Sequence, residues 1–252
     1  MDELVTNFCA QQSLPTLEKE VPRVVEKLTS TSLVSDLSEG EEIFNTVVAD
    51  FTKFESPDVK ITVRESAING SMIPVAIEFP SKITRVWRFV EENKQKIAAM
   101  ADFLVADNNG YFYTRVKMEK TGNIIAVLDD GTGHFMIAKA HVDVLIGSRA
   151  MGDEKKCTLA DCYPDLASGD IRFKASEGNL KMIILNQEDA YDYVENVLLQ
   201  IDDEIVAIIY FTPMVSRNPY LKIHYATTAK NVVVTINATG ERSVTLAKSL
   251  GQ

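Results

Sequence analysis

Apolar positions recur at helical spacing in two early stretches. Residues 16–29 place Leu17, Val21, Val24, Val25 and Leu28 on one face, and residues 40–54 do the same with Ile43, Val47, Val48, Phe51 and Phe54. Two amphipathic helices are therefore expected to open the chain. The pattern then changes to period two. DVKITVRES from Asp58 alternates, MIPVAIEF from Met72 reads as a more buried strand, and Pro80-Ser81 announces a helix running to about Leu104. Asn109-Gly110 turns the chain into YFYTRVKM, and NIIAVL and HFMIAKAHVDVLI follow as strands. Residues 148–169 read as loop.

The second half repeats this order. DIRFKAS and NLKMIIL read as strands, EDAYDYVENVLLQI as a helix, and DEIVAIIYF, YLKIHYAT, NVVVTI and RSVTLAK as strands. Residue matches support the repetition at separations near 110: Asp58-Val-Lys-Ile with Asp170-Ile-Arg-Phe, Tyr111 with Tyr220, Asn123-Ile-Ile-Ala with Asn231-Val-Val-Val, and Ile137-Ala-Lys139 with Leu246-Ala-Lys248. The expected fold is α+β: an acidic helical arm over 1–55, a first antiparallel sheet-plus-helix unit over 56–148, a linker loop over 149–169 and a second, duplicated unit over 170–252.

Charge changes this picture only locally. The chain of 252 residues has a formal net charge of −10, but residues 1–55 hold 11 acids against 4 bases, so the larger part is nearly balanced. The opening MDELVTNF is acidic where a secretory leader would be basic. The most apolar run, IVAIIYF at 205–211, is too short to span a bilayer. Three cysteines, Cys9, Cys157 and Cys162, fit reduced thiols better than a disulfide framework. An intracellular, cytoplasmic protein without a membrane partner is expected, in the host cytoplasm if it is viral.

Catalytic signals are few. LDDGTG at 128–133 would be a nucleophile-bearing strand end if an aspartate stood where Leu128 stands, as in the haloacid dehalogenases. Its duplicate INATGE keeps Thr and Gly while replacing both acids, so the stretch reads as a hairpin turn. Cys157 and Cys162 with His134 or His141 lack the spacing of a zinc knuckle. No P-loop and no GxGxxG is present. The reading is a non-enzyme with no cofactor and no metal.

Binding chemistry is read from strand alternation, which sends successive side chains to opposite faces. Lys60 and Arg64, Tyr111, Tyr113, Arg115 and Lys117, Arg172 and Lys174, and Tyr220, Lys222 and His224 fall on the faces opposite their strands' apolar residues. Cations for phosphates and rings for stacking are what single-stranded nucleic acid requires. The same residue types also combine β propensity with solubility on any solvated face. With tandem sheet-plus-helix order and these face residues, the chain resembles Whirly-type single-stranded nucleic-acid-binding proteins and is similar to RNA-binding proteins of nucleus-forming jumbo phages. The resemblance implies single-stranded RNA or DNA as partner and a homo-oligomer, for which the N-terminal helices are the expected contact. The alternative is a structural or assembly protein that uses the same surfaces for homo-oligomeric contacts without nucleic acid.

Overall fold

The computed structural model describes residues 38–105, 110–148, 171–176, 178–184, 194–216, 218–225, 229–238 and 242–250. Residues 38–43 are helical and run into a π-helical segment, Phe44–Val48, followed by a short helix, Phe51–Phe54. Everything after them is strand and turn. The strands are β1 (Lys60–Thr62), β2 (Ser66–Asn69), β3 (Ile73–Glu78), β4 (Arg85–Val90), β5 (Ile97–Phe103), β6 (Tyr111–Val116), β7 (Gly122–Asp129) and β8 (Phe135–Ile146). The second half adds β9 (Ile171–Ser176), β10 (Asn179–Ile184), β11 (Val194–Ile201), β12 (Glu204–Phe211), β13 (Tyr220–His224), β14 (Asn231–Ala238) and β15 (Arg242–Ser249).

They build a β-sandwich. One sheet has six strands in the order β1-β3-β6-β13-β10-β9, the other nine in the order β15-β14-β11-β12-β5-β4-β7-β8-β2. All the strand pairings are antiparallel except β2 with β8. The core lies between the sheets, with Ile77, Phe112, Leu180 and Leu221 from the first meeting Val86, Ala101, Leu199 and Ile209 from the second. Each such side chain, fully buried, stabilises the fold by about 1.5–3 kcal/mol relative to exposure.

This corrects the expected α+β fold with sheet-plus-helix units. The helix expected from Ser81 to Leu104 is instead the antiparallel pair β4 and β5, and the described part of the helix expected near 188–201 is β11. The physical reason is burial on both faces. In β4, Val86, Arg88 and Val90 are buried along one parity and Trp87 and Phe89 along the other, so the polar half of the alternation is missing. Trp87 and Phe89 are covered by the helical segment: Phe44 lies 5.2 Å from Phe89, and Phe135 6.3 Å from Trp87, ring centre to ring centre. Arg85 fastens that cover, donating to both carboxylate oxygens of Asp102 and, at 2.7 Å, to Glu39. The expected helix over 16–29 lies outside the described residues, as does most of the expected linker; 40–54 is helical but broken, and it lies on the sheet.

The two runs of strands also do not stack as separate sheets. They merge edge to edge, β6 pairing with β13 in one sheet and β5 with β12 in the other. Reading outward from these seams, β6-β3-β1 is mirrored by β13-β10-β9, and β5-β4-β7-β8 by β12-β11-β14-β15.

Candidate interaction face

The outer face of the six-stranded sheet gathers most of the residues expected to bind. On β6 and β13, Phe112 and Thr114, and Leu221 and Ile223, point into the core, which turns Tyr111, Tyr113, Arg115, Tyr220, Lys222 and His224 outward. Across the seam these side chains organise one another. Tyr111 stacks on His224 at 4.4 Å with the rings 12° apart, and Tyr113 meets Tyr220 edge-on at 5.3 Å. The Arg115 guanidinium lies 5.2 Å from the Tyr220 ring centre and the Lys222 ammonium 4.7 Å from that of Tyr111. Burial pushes the Tyr111 phenol up from its ordinary pKa, and the neighbouring Tyr113, Glu78 and Tyr220 push the same way.

Register extends the face. Lys174 on β9 is directly opposite Lys181 on β10, which is opposite Lys222 on β13, which is opposite Tyr113 on β6. Three lysines thus stand in one cross-strand row. The row continues through Ala76 to Thr62 and contains no acid. Like charges directly opposite each other repel. Glu78 occupies the adjacent row, 4.0 Å from exposed Lys60 at the sheet edge.

Three expected residues stand apart. Arg64 is exposed but follows the end of β1, off the sheet. Lys117 lies just past β6 and is buried, its backbone N–H donating to Met214. Arg172 sits on β9 opposite Ile183, at the row beside the lysines. Lys181 was missed by sequence reasoning, although the alternation of Leu180, Lys181 and Met182 carries the same signal as its neighbours.

The Asp-Asp-Gly-Thr stretch forms the β7–β8 hairpin turn. Asp129 accepts from the Gly131 N–H at 2.8 Å, Asp130 accepts from the Thr132 N–H at 2.9 Å and from its hydroxyl at 2.6 Å, and Gly131 has φ +82°. The hydroxyl and amide of Thr132 hold the Asp130 carboxyl below its ordinary pKa. Among the described residues no group of three His, Cys, Asp or Glu side chains is placed to hold a metal, and no helix is long and apolar enough to cross a membrane. The cysteines lie outside the described residues.

Comparison with known proteins gives a family over part of this architecture. Residues 45–148, less than half of the chain, match the family of the sulfur oxidation protein SoxY. That stretch contains β1 to β8. Among solved structures, the chain is similar to the sulfur carrier protein SoxY from Chlorobium limicola f thiosulfatophilum, with 25% identity over 42% of this chain and 99% of that one, at a TM-score of 0.34. Two marsupial T cell receptor chains follow, one at 8% identity over 78% of this chain and 62% of that one (TM-score 0.26), the other at 7% over 77% and 96% (TM-score 0.25). No curated protein matches.

The SoxY match overturns the resemblance to Whirly-type and phage RNA-binding proteins. The single-stranded RNA or DNA partner, the homo-oligomer implied with it and the nucleic-acid-binding function are corrected accordingly. The physical reason the resemblance misled is that its sheet-plus-helix order depended on two helices that are strands, while cationic and aromatic residues on a solvated strand face are not specific to nucleic acid.

Proposed function

We propose that this chain is a non-catalytic carrier of sulfur that meets protein partners through the cationic, tyrosine-rich face of its six-stranded sheet. The observation that carries the reading is the match of residues 45–148 to a sulfur-oxidation family, whose solved member is described as a sulfur carrier.

Carrying sulfur covalently requires a thiol, and the matched segment contains no cysteine. Cys157 and Cys162 follow it in sequence, Cys157 nine residues beyond its end. The proposal therefore assigns the sulfur to one of these two. The thiolate attacks a terminal sulfur of a polysulfide, a new S–S bond forms on the protein, and the polysulfide leaves one sulfur shorter with the electron pair of the broken bond. No oxidant is needed. A thiol kept ready for this reaction fits a reducing compartment, so the proposal includes an intracellular location.

Intact-mass spectrometry after brief exposure to polysulfide is the test. The expected result is a gain of about 32 Da per sulfur, reversed by a thiol reductant. Loading should outpace that of glutathione at equal concentration, persist in Cys9→Ser and vanish in the Cys157→Ser/Cys162→Ser double variant. Loading no faster than glutathione, or retained in the double variant, rejects the assignment.

A further inference from the structure

We infer that the end of the sandwich beside the β11–β12 turn is a binding site for a small amphiphile with an apolar body and a cationic head. A cavity of about 550 Å3 opens there between the sheets. Its size falls within the roughly 300–1,000 Å3 typical of small-molecule sites.

The cavity has a structural cause. Leu199, Ala207 and Phe103 are cross-strand neighbours on β11, β12 and β5, forming one row on the inner side of the nine-stranded sheet. Ile223 of the opposite sheet faces that row. Ala207 stands between two large residues, and its methyl group leaves space that a leucine or phenylalanine would occupy. Ile201 and Val206 extend the apolar wall. Water in such a space finds few polar partners, so an apolar guest that displaces it gains affinity.

The head group is set by the turn at the mouth. Asp202, Asp203 and Glu204 all line the cavity. Asp202 is already committed: with φ +50° it caps the turn, its carboxylate accepting from the Lys230 and Asn231 N–H groups at 2.9 and 2.8 Å. Asp203 and Glu204 are exposed and form no ion pair among the described residues. Two uncommitted carboxylates beside an apolar hollow select a cation on the polar end of the guest and disfavour an anion.

The experiment is isothermal titration calorimetry of the full chain with decyltrimethylammonium and with decanoate, each below its micelle concentration, paired with thermal unfolding. A guest that binds the native state raises the melting temperature, whereas a detergent acting on the unfolded chain lowers it. The expected result is saturable binding of the cation about five-fold or more tighter than the anion. Asp203→Asn/Glu204→Gln should bring the two affinities together. Ala207→Phe should abolish both, with Ala207→Leu as the gentler filling variant if circular dichroism shows the phenylalanine misfolds. Absence of binding up to millimolar ligand, equal or tighter binding of decanoate, or full affinity in a folded Ala207 variant overturns the proposal.

Discussion

Arg88 lies in β4 between Val86 and Val90, fully buried in the sandwich core. One guanidinium nitrogen donates to the Phe112 carbonyl at 3.1 Å and the group lies 4.4 Å from the Phe112 ring centre, yet Nε and Nη1 have no hydrogen-bond partner. Desolvation by burial pulls its pKa from the ordinary value of 12.5 down to about 9, against a smaller upward pull from Tyr113 and Tyr111. Because the folded value is the lower one, the unfolded chain binds the extra proton between about 9 and 12.5, and this group's contribution to stability rises with pH across that window. Each orphaned buried donor costs about 1–3 kcal/mol. Arg88→Met, which keeps the length and removes the donors, is therefore expected to stabilise the protein by about 1–2 kcal/mol, read as a higher urea midpoint at pH 7. A lower midpoint would mean that the guanidinium is compensated in the core. Asp102 shows the opposite balance. Burial raises its pKa, and the paired Arg85 lowers it by less. The native state thus keeps a proton that the unfolded chain has lost just above 3.8, so the stability this carboxyl contributes declines as pH rises through that window. Arg85→Met should raise the Asp102 pKa further, as followed by carbonyl NMR titration; an unchanged or lower value would refute the pairing.

At the scale of elements, what the sequence made legible was every strand with one wet face. β6 alternates so regularly that its outward Tyr111, Tyr113 and Arg115 are read directly from YFYTRV, and β13 repeats the pattern. β4 and β5 were illegible for the complementary reason: RVWRFV and IAAMADF are dry on both faces, and an apolar run without alternation has no period to betray its conformation. Alternation also located most of the candidate face residue by residue, but not the alignment of Lys174, Lys181 and Lys222, since register between strands is a property of pairing and not of any one segment. That row allows a sharp test. With a lysine on each side, Lys181→Glu converts two repulsive cross-strand pairs into two attractive ones, and each pair is worth about 0.2–1 kcal/mol. The variant should gain about 0.5–1.5 kcal/mol in denaturant unfolding at low salt, and the gain should shrink as salt is added. A loss of stability would place the lysines elsewhere than in one row.

At the scale of the whole molecule, the two runs of strands share both sheets, and this changes what the second run does. The similarity of Asn123-Ile-Ile-Ala to Asn231-Val-Val-Val is visible in the chain, but which edges meet is not, because no local pattern marks β5 for β12 or β6 for β13. The seams carry a real share of the fold. Five residues of β12 pair with β5 from Ala207 with Phe103 to Phe211 with Ala99, and one core cluster takes Phe112 and Ala101 from the first run together with Leu199 and Ile209 from the second. Residues 37–252 form one compact unit. A seam of this kind leaves two hydrogen-bonding edges and an apolar flank exposed if either half opens alone. The halves should therefore unfold together: differential scanning calorimetry is expected to give one transition whose calorimetric and van't Hoff enthalpies agree. Ile209→Pro, which removes a backbone donor from β12, a strand paired on both sides, should lower that single transition as a whole. Two resolved peaks, with only one moved by the proline, would show that the halves are stable separately and that the seam is only a contact between finished sandwiches.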